Sequence, residues 1–140
     1  MSKAIVRRVL ESTLGTWAAA QVPAMQVAYE GVPFTPPALS VSYARGFMLP
    51  AMTVSLDLAR SHRRYMGIWQ VSLYIPEGQG LAVAQAAEAS LDAAYTVHAP
   101  LVNGTVLVYI THPMSAASAM PDDGRIHIPI SCRYEAHVIV

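Results

Sequence analysis

The sequence predicts one α+β domain over residues 1–140: a single mixed or antiparallel β-sheet packed by two helices on one face. Three observations carry this. First, the closing segment alternates strictly. Ile126, Ile128, Ile130, Cys132, Tyr134 and Ala136 share one parity, and Arg125, His127, Pro129, Ser131, Arg133, Glu135 and His137 share the other. A strand with one dry and one wet face requires that pattern. Second, the N-terminal stretch and the alanine-rich stretch after Gly80 place apolar residues at helical spacing instead. Third, the elements run helix, strands, helix, strands without an internal repeat or linker, which gives one sheet with its helices gathered on one side.

Ser2 is placed to cap the first helix, whose apolar stripe is Ile5, Val6, Val9, Leu10, Leu14 and Trp17 and whose polar face carries Lys3, Arg7, Arg8 and Glu11. Pro23 closes it. Met25–Glu30 suits a short strand, and Gly31–Pro37 is too rich in proline for a helix or a central strand, so an extended loop is expected. Leu39, Val41 and Tyr43 alternate with serines in a second strand reaching Met48 and ended by Pro50. Met52, Val54 and Leu56 alternate in a third.

The cationic run Arg60–Arg64 reads as the loop before a long strand on which Tyr65, Gly67, Trp69, Val71, Leu73 and Ile75 share a face. Leu81, Ala84, Ala87, Leu91, Ala94 and Tyr95 form one face of the second helix, whose small residues allow close approach to a sheet. Asn103-Gly104 signals a turn before a strand from Thr105 to Thr111. Pro113–Pro121 reads as loop, and Asp122–Gly124 as the turn into the final strand. Pro129 cannot donate a ladder hydrogen bond, so that strand is expected at an edge or with a bulge.

Residues of hydrophobic type make up 54% of the chain and charged residues 13%, below the usual quarter. So apolar a chain exposes apolar surface when monomeric, and such surface marks interfaces. The formal net charge is zero, which provides no global field for attracting nucleic acid. Cys132, the single cysteine, excludes an internal disulfide and lies on the dry parity, where it reads as a small buried hydrophobe. Arg7 and Arg8 interrupt the first apolar stretch, and no window of about 18 residues is apolar enough to span a membrane. A cytosolic protein with no membrane partner is therefore expected.

The five histidines, His62, His98, His112, His127 and His137, show no metal-ligand spacing on a helix. His127 and His137 share the wet strand face but stand too far apart to chelate one ion. The acidic residues are scattered over helix faces, turns and strand ends, so no carboxylate pair is marked for acid–base work. Nucleophile elbows, Walker loops and dinucleotide fingerprints are absent. No enzymatic activity, metal or cofactor is expected. Guanidinium groups in Arg60–Arg64 suit phosphate, and a basic loop of this kind also suits a lumen through which nucleic acid passes unread. Arg45 is a weaker candidate for the same surface.

In this order and spacing the chain resembles the small phage tail terminator-like proteins. The resemblance rests on the opening helix ending near Thr16-Trp-Ala18, on Val32-Pro-Phe-Thr-Pro-Pro37, and on His62-Arg-Arg-Tyr65 leading into Gly67-Ile-Trp-Gln-Val71. The alanine-rich helix after Gly80 and the Asp123-Gly-Arg125 turn complete it, while His137–Val140 looks like an added tail.

The resemblance implies a structural protein that caps the tail tube as a ring, typically six-fold, stops tube polymerisation and presents a surface to the head. Its implied partners are further copies of itself, the tail tube protein and a head–tail connector protein, with DNA only as transiting cargo. It would assemble in the bacterial host cytoplasm and end in the virion tail. A head–tail connector adaptor is the alternative within the class, and a small-molecule or nucleic-acid binding module the alternative outside it. On the tail-terminator reading, Arg60, His62, Arg63 and Arg64 are expected at the lumen or a subunit junction, and Arg125, Arg133 and Glu135 at subunit or tube contacts.

Overall fold

The computed structural model describes residues 2–22, 24–59, 61–78, 80–97, 100–103 and 106–139. It contains helix α1 (Ser2–Ala19), strands β1 (Gln26–Tyr29), β2 (Tyr43–Ser55) and β3 (His62–Pro76), helix α2 (Ala82–Ala94), and strands β4 (Leu101–Asn103), β5 (Val106–Ala116), β6 (Met120–Asp122) and β7 (Arg125–Ile139). Among the described residues one mixed sheet runs in the order β1-β2-β3-β7-β5-β4, and β6 pairs with β7. Only β1 with β2 is parallel; the other pairings are antiparallel. The architecture is α+β, as the order of elements predicts.

Parity decides the core. In β3 the side chains of Tyr65, Trp69, Val71, Leu73 and Ile75 are buried, and in β7 those of Ile128, Ile130, Cys132, Tyr134 and Ala136. Against this face α1 lays Val6, Val9, Leu10, Leu14 and Trp17, and α2 lays Ala84, Ala87 and Leu91. Burial of this contiguous apolar set is the main favourable term in folding. Two polar links tie the helices down. Trp17 Nε1 donates to Ser90 Oγ at 2.8 Å, and Tyr95 Oη donates to the Leu10 carbonyl at 2.7 Å. Both aromatic residues therefore pair their polar tips while burying their rings.

Several boundaries differ from the sequence reading. β7 is neither an edge nor bulged at its proline: it lies between β3 and β5. Pro129 is tolerated because its carbonyl, which accepts from Ala117 N at 2.8 Å, faces the break between β5 and β6. Its missing N–H turns the same way, towards a stretch where the ladder is already interrupted. The segment 113–121 is likewise not all loop, since β5 runs to Ala116 and β6 opens at Met120.

Pro50 does not end a strand. β2 passes through it to Ser55, with an irregularity in register between Pro50 and Thr53 that accommodates the ring on an outer edge. Leu39 and Val41 precede β2 and are exposed. The residues His137, Val138 and Ile139 continue β7, pairing with Arg64, Arg63 and His62, so they complete the sheet rather than trailing from it. The Asp123-Gly124 turn has φ of 42° and 83°, and it joins paired residues Asp122 and Arg125 as a tight two-residue hairpin. Pro23 and the Gly104 half of the Asn103-Gly104 turn lie outside the described residues.

Candidate functional site

With both helices on one face, the other face of the sheet is left largely open, and it carries the wet parity of β7. Its neighbours across the ladder are Arg45, Phe47 and Leu49 in β2 and Arg64, Met66, Ile68, Gln70, Ser72 and Tyr74 in β3. The two-faced reading holds from Ile126 to His137, and Arg125 departs from it by being buried on the wet parity.

One end of this face is a linked set of charges. Arg64 Nε lies 3.2 Å from Glu135 Oε1, an ion pair at an angle that makes no hydrogen bond. The same carboxylate oxygen is 3.5 Å from His137 Nε2, and His137 Nδ1 faces His62 Nε2 at 3.1 Å. That last contact needs a proton on one ring and a lone pair on the other. Register explains the convergence, since Arg64 pairs directly with His137 and His62 with Ile139. Tyr109 presents its ring to His137 edge-on at 6.1 Å. Among the described residues no three histidine, cysteine or carboxylate groups converge on a point that would hold a metal ion.

The other end is aromatic. Tyr43, Tyr74 and His127 stack across three adjacent strands, with 4.6 Å between ring centres at both steps, and Phe34 tilts onto Tyr43 at 5.3 Å. The Arg45 guanidinium lies 5.9, 5.9 and 5.8 Å from the centres of Phe34, Tyr43 and Tyr74. Such placement over ring faces is attractive through the ring quadrupole. Desolvation holds the His127 imidazole below its ordinary pKa, Asp122 opposes that shift, and Arg45 adds to it. Between the two ends a shallow groove of about 390 Å³ is lined by Ile68, Thr111, Arg133 and Glu135 among others.

The residues singled out from sequence fall into separate places. His62, Arg64 and Glu135 come together at the charged end, in β3 and β7 rather than in a loop. Arg133 is exposed on the same face, and Arg63, also exposed, points to the opposite side of β3. Neither forms an ion pair among the described residues. Arg45 belongs to the aromatic end. Arg125 is buried and spends its guanidinium on the carbonyls of Pro37 and Ala38 in its own chain. Arg60 lies outside the described residues. The reading missed His137, although it shares parity with Arg133 and Glu135. The Tyr43–Tyr74–His127 stack depends on register between distant segments, which no local pattern encodes.

These features define a small α+β domain with one sheet face free of its own helices and a projecting β2–β3 hairpin. No described helix is long and apolar enough to cross a membrane. A family model described as phage tail terminator protein matches residues 5–134, and the chain belongs to that family. It is thus a structural component of the bacteriophage tail. A solved structure with 36% sequence identity covers 97% of this chain and 96% of its own, with a TM-score of 0.80. No curated protein matches the chain.

Proposed function

We propose that this chain caps the phage tail tube as a ring of identical subunits, stops polymerisation of the tube protein, and offers the joining surface to the head–tail connector. The family match over residues 5–134 carries the reading. The geometry supports it in two ways. The sheet leaves one broad face uncovered by its own helices, and beyond Gly46 no strand among the described residues pairs with the outer edge of β2, where Glu30 accepts from the Met48 N–H. Both are surfaces that a neighbouring subunit or the tube can cover.

The proposed ring is six-fold. Assembly takes place in the host cytoplasm, with DNA passing the finished ring as unread cargo. In this arrangement His62, Arg63 and Arg64 lie at the lumen or a subunit junction, and Arg133 and Glu135 at the surface turned to a neighbour or the tube. No catalytic step and no cofactor enter this role.

Electron microscopy of particles made by a phage lacking this gene tests the proposal. Overlong tubes that fail to join heads are expected. Normal-length tails beside unattached, DNA-filled heads would overturn the stopper role and move the protein to the joining step, as a connector adaptor.

A further inference from the structure

Two apolar surfaces remain exposed at opposite ends of the molecule, and their shapes differ. At one end the β2–β3 hairpin projects past the short edge strand β1. Leu56 and Leu58 stand at its tip, with Leu58 fully exposed. The tip is held in shape by its own polar contacts. Leu56 N donates to the His62 carbonyl at 2.9 Å, and Asp57 accepts from the Ser61 backbone N–H at 2.9 Å and from the Ser61 hydroxyl. An apolar tip ordered before it meets a partner loses little entropy on docking.

At the other end lies a groove of about 470 Å³ between α2, the C-terminal end of α1 and the segment before β2. Val22, Met25, Val41, Ile75, Val83 and Ala87 contribute to its walls. Val22 is 98% exposed and Val83 48%. Leu73 and Ile75 at its floor are 11 and 13 residues along β3 from His62, about 36–43 Å at the rise of a strand. Tip and groove of one chain therefore cannot meet each other.

The charges follow the same axis. Arg63 and Arg64 stand at the hairpin end, and Lys3 near the start of α1 lies beside Met48, Met52 and Tyr65 at that end too. The exposed carboxylates Glu77, Asp122 and Asp123 stand at the groove end, where Pro76 pairs with Arg125 and Asp122 with Arg125. Of the cations at that end, Arg125 is buried and Arg45 is half-buried against Phe34, Tyr43 and Tyr74. The hairpin end also carries Asp57 at its tip and Glu135 paired with Arg64, so Lys3 and Arg63 are the cations there without an ion-pair partner among the described residues, while exposed carboxylates gather at the groove end.

We infer that the Leu56–Leu58 hairpin tip of one copy seats in the Val22–Val41–Val83 groove of the next, with Arg63 of the first facing Glu77, Asp122 and Asp123 of the second. This deepens the ring reading above and rests on it. The contact is head-to-tail: the patches on the two partners differ, and such contacts propagate into a closed ring or an open filament according to the rotation per step. The leucines exclude water from the groove, and Arg63 opposite the exposed carboxylates favours this orientation.

The test uses the full chain carrying Leu58→Cys, Val83→Cys, or both, in assembled tails treated with a short bis-maleimide. Cys132 is buried and does not compete. The double variant is expected to give a ladder of covalent multimers of this chain that ends at the ring size. The yield of linked product should exceed that of either single variant by about tenfold, as neighbouring thiols act at high effective concentration. Tails of normal length that yield no ladder would overturn the docking while leaving the stopper role intact. A linked product between this chain and a different tail protein would overturn it as well, by showing another occupant in the groove.

A second arm uses Leu58→Asp, at a side chain free of packing in its own chain. Its melting temperature should equal that of the wild-type protein while tails grow overlong; tails of normal length would contradict the inference. Failure of the underlying reading looks different, because loss of the gene itself would then leave tail length unchanged.

Discussion

The Arg125 guanidinium sits 5.0 Å from the centre of the Tyr43 ring, and its Nη2 reaches the Ala38 carbonyl at 2.9 Å as well as that of Pro37. One buried cation thereby fastens the extended Pro-rich segment to the first residues of β2 and β7. Hydrogen bonds from a charged donor contribute about 1.5–3 kcal/mol, and a desolvated cation–π contact adds up to about 2. Arg125→Ala should therefore lower stability by about 2–4 kcal/mol in urea unfolding. Arg125→Lys should recover part of the loss, since an ammonium keeps the charge but not the fork. A loss below about 0.5 kcal/mol, the range of ordinary surface changes, would show that the anchor is weak.

Gly67 marks the closest approach within the sheet. A Cβ there would lie 2.5 Å from the Leu49 carbonyl oxygen and 2.6 Å from Tyr134 Oη. The tyrosine ring can yield and the backbone carbonyl cannot. Gly67→Ala should cost about 1–3 kcal/mol as an overpacked position. Adding Tyr134→Leu should not restore wild-type stability, because the clash with β2 remains. Thermal unfolding of the single and double variants reads this directly, and full rescue would count against it.

How far the fold was legible follows from which interactions are local. The alternation in β7 and the helical spacing in α1 fix which side chains are dry, and Trp17, Trp69 and Cys132 are buried as that spacing requires. Strand order is not local. Pro129 suggests an edge, yet β7 is central, because the compensating break between β5 and β6 comes from another part of the chain. The candidate surface is legible in the same measure. Arg64, Glu135 and His62 are chemically conspicuous in the sequence, but their meeting with His137 depends on a β3–β7 register 75 residues apart for His62 and His137. Arg125 looks like one more exposed cation by parity. Its burial comes from a loop folding over the sheet face, which parity cannot express.

Cys132 is buried, and desolvation pushes its thiol up to about 12, so the thiolate is scarce at neutral pH. The native protein should react with a thiol reagent only through opening of the sheet. Modification under native conditions should therefore be slower than in denaturant by orders of magnitude, and should accelerate in Gly67→Ala in step with lost stability. Rapid labelling of the folded wild-type chain would contradict the burial of the β7 inner face.

His127 supplies a pH dependence whose sign follows from its surroundings. Desolvation lowers its pKa in the folded chain, Asp122 pulls the other way, and Arg45 reinforces the lowering. The unfolded imidazole titrates near the ordinary value of about 6.5. Between the folded and unfolded values the unfolded chain binds more protons, so stability rises with pH in that window and falls on acidification below about 6.5. The neutral ring is also the one suited to lie flat against Tyr74 beside a guanidinium. His127→Phe keeps an aromatic partner for the stack and removes the titration. Urea unfolding at a series of pH values from about 7.5 down to 5 should show a smaller decline for His127→Phe than for the wild type. Asp122→Asn, which removes the carboxylate that favours the charged ring, should make the decline steeper. Parallel pH curves for His127→Phe and wild type would show that the stack stabilises the sheet without sensing protons.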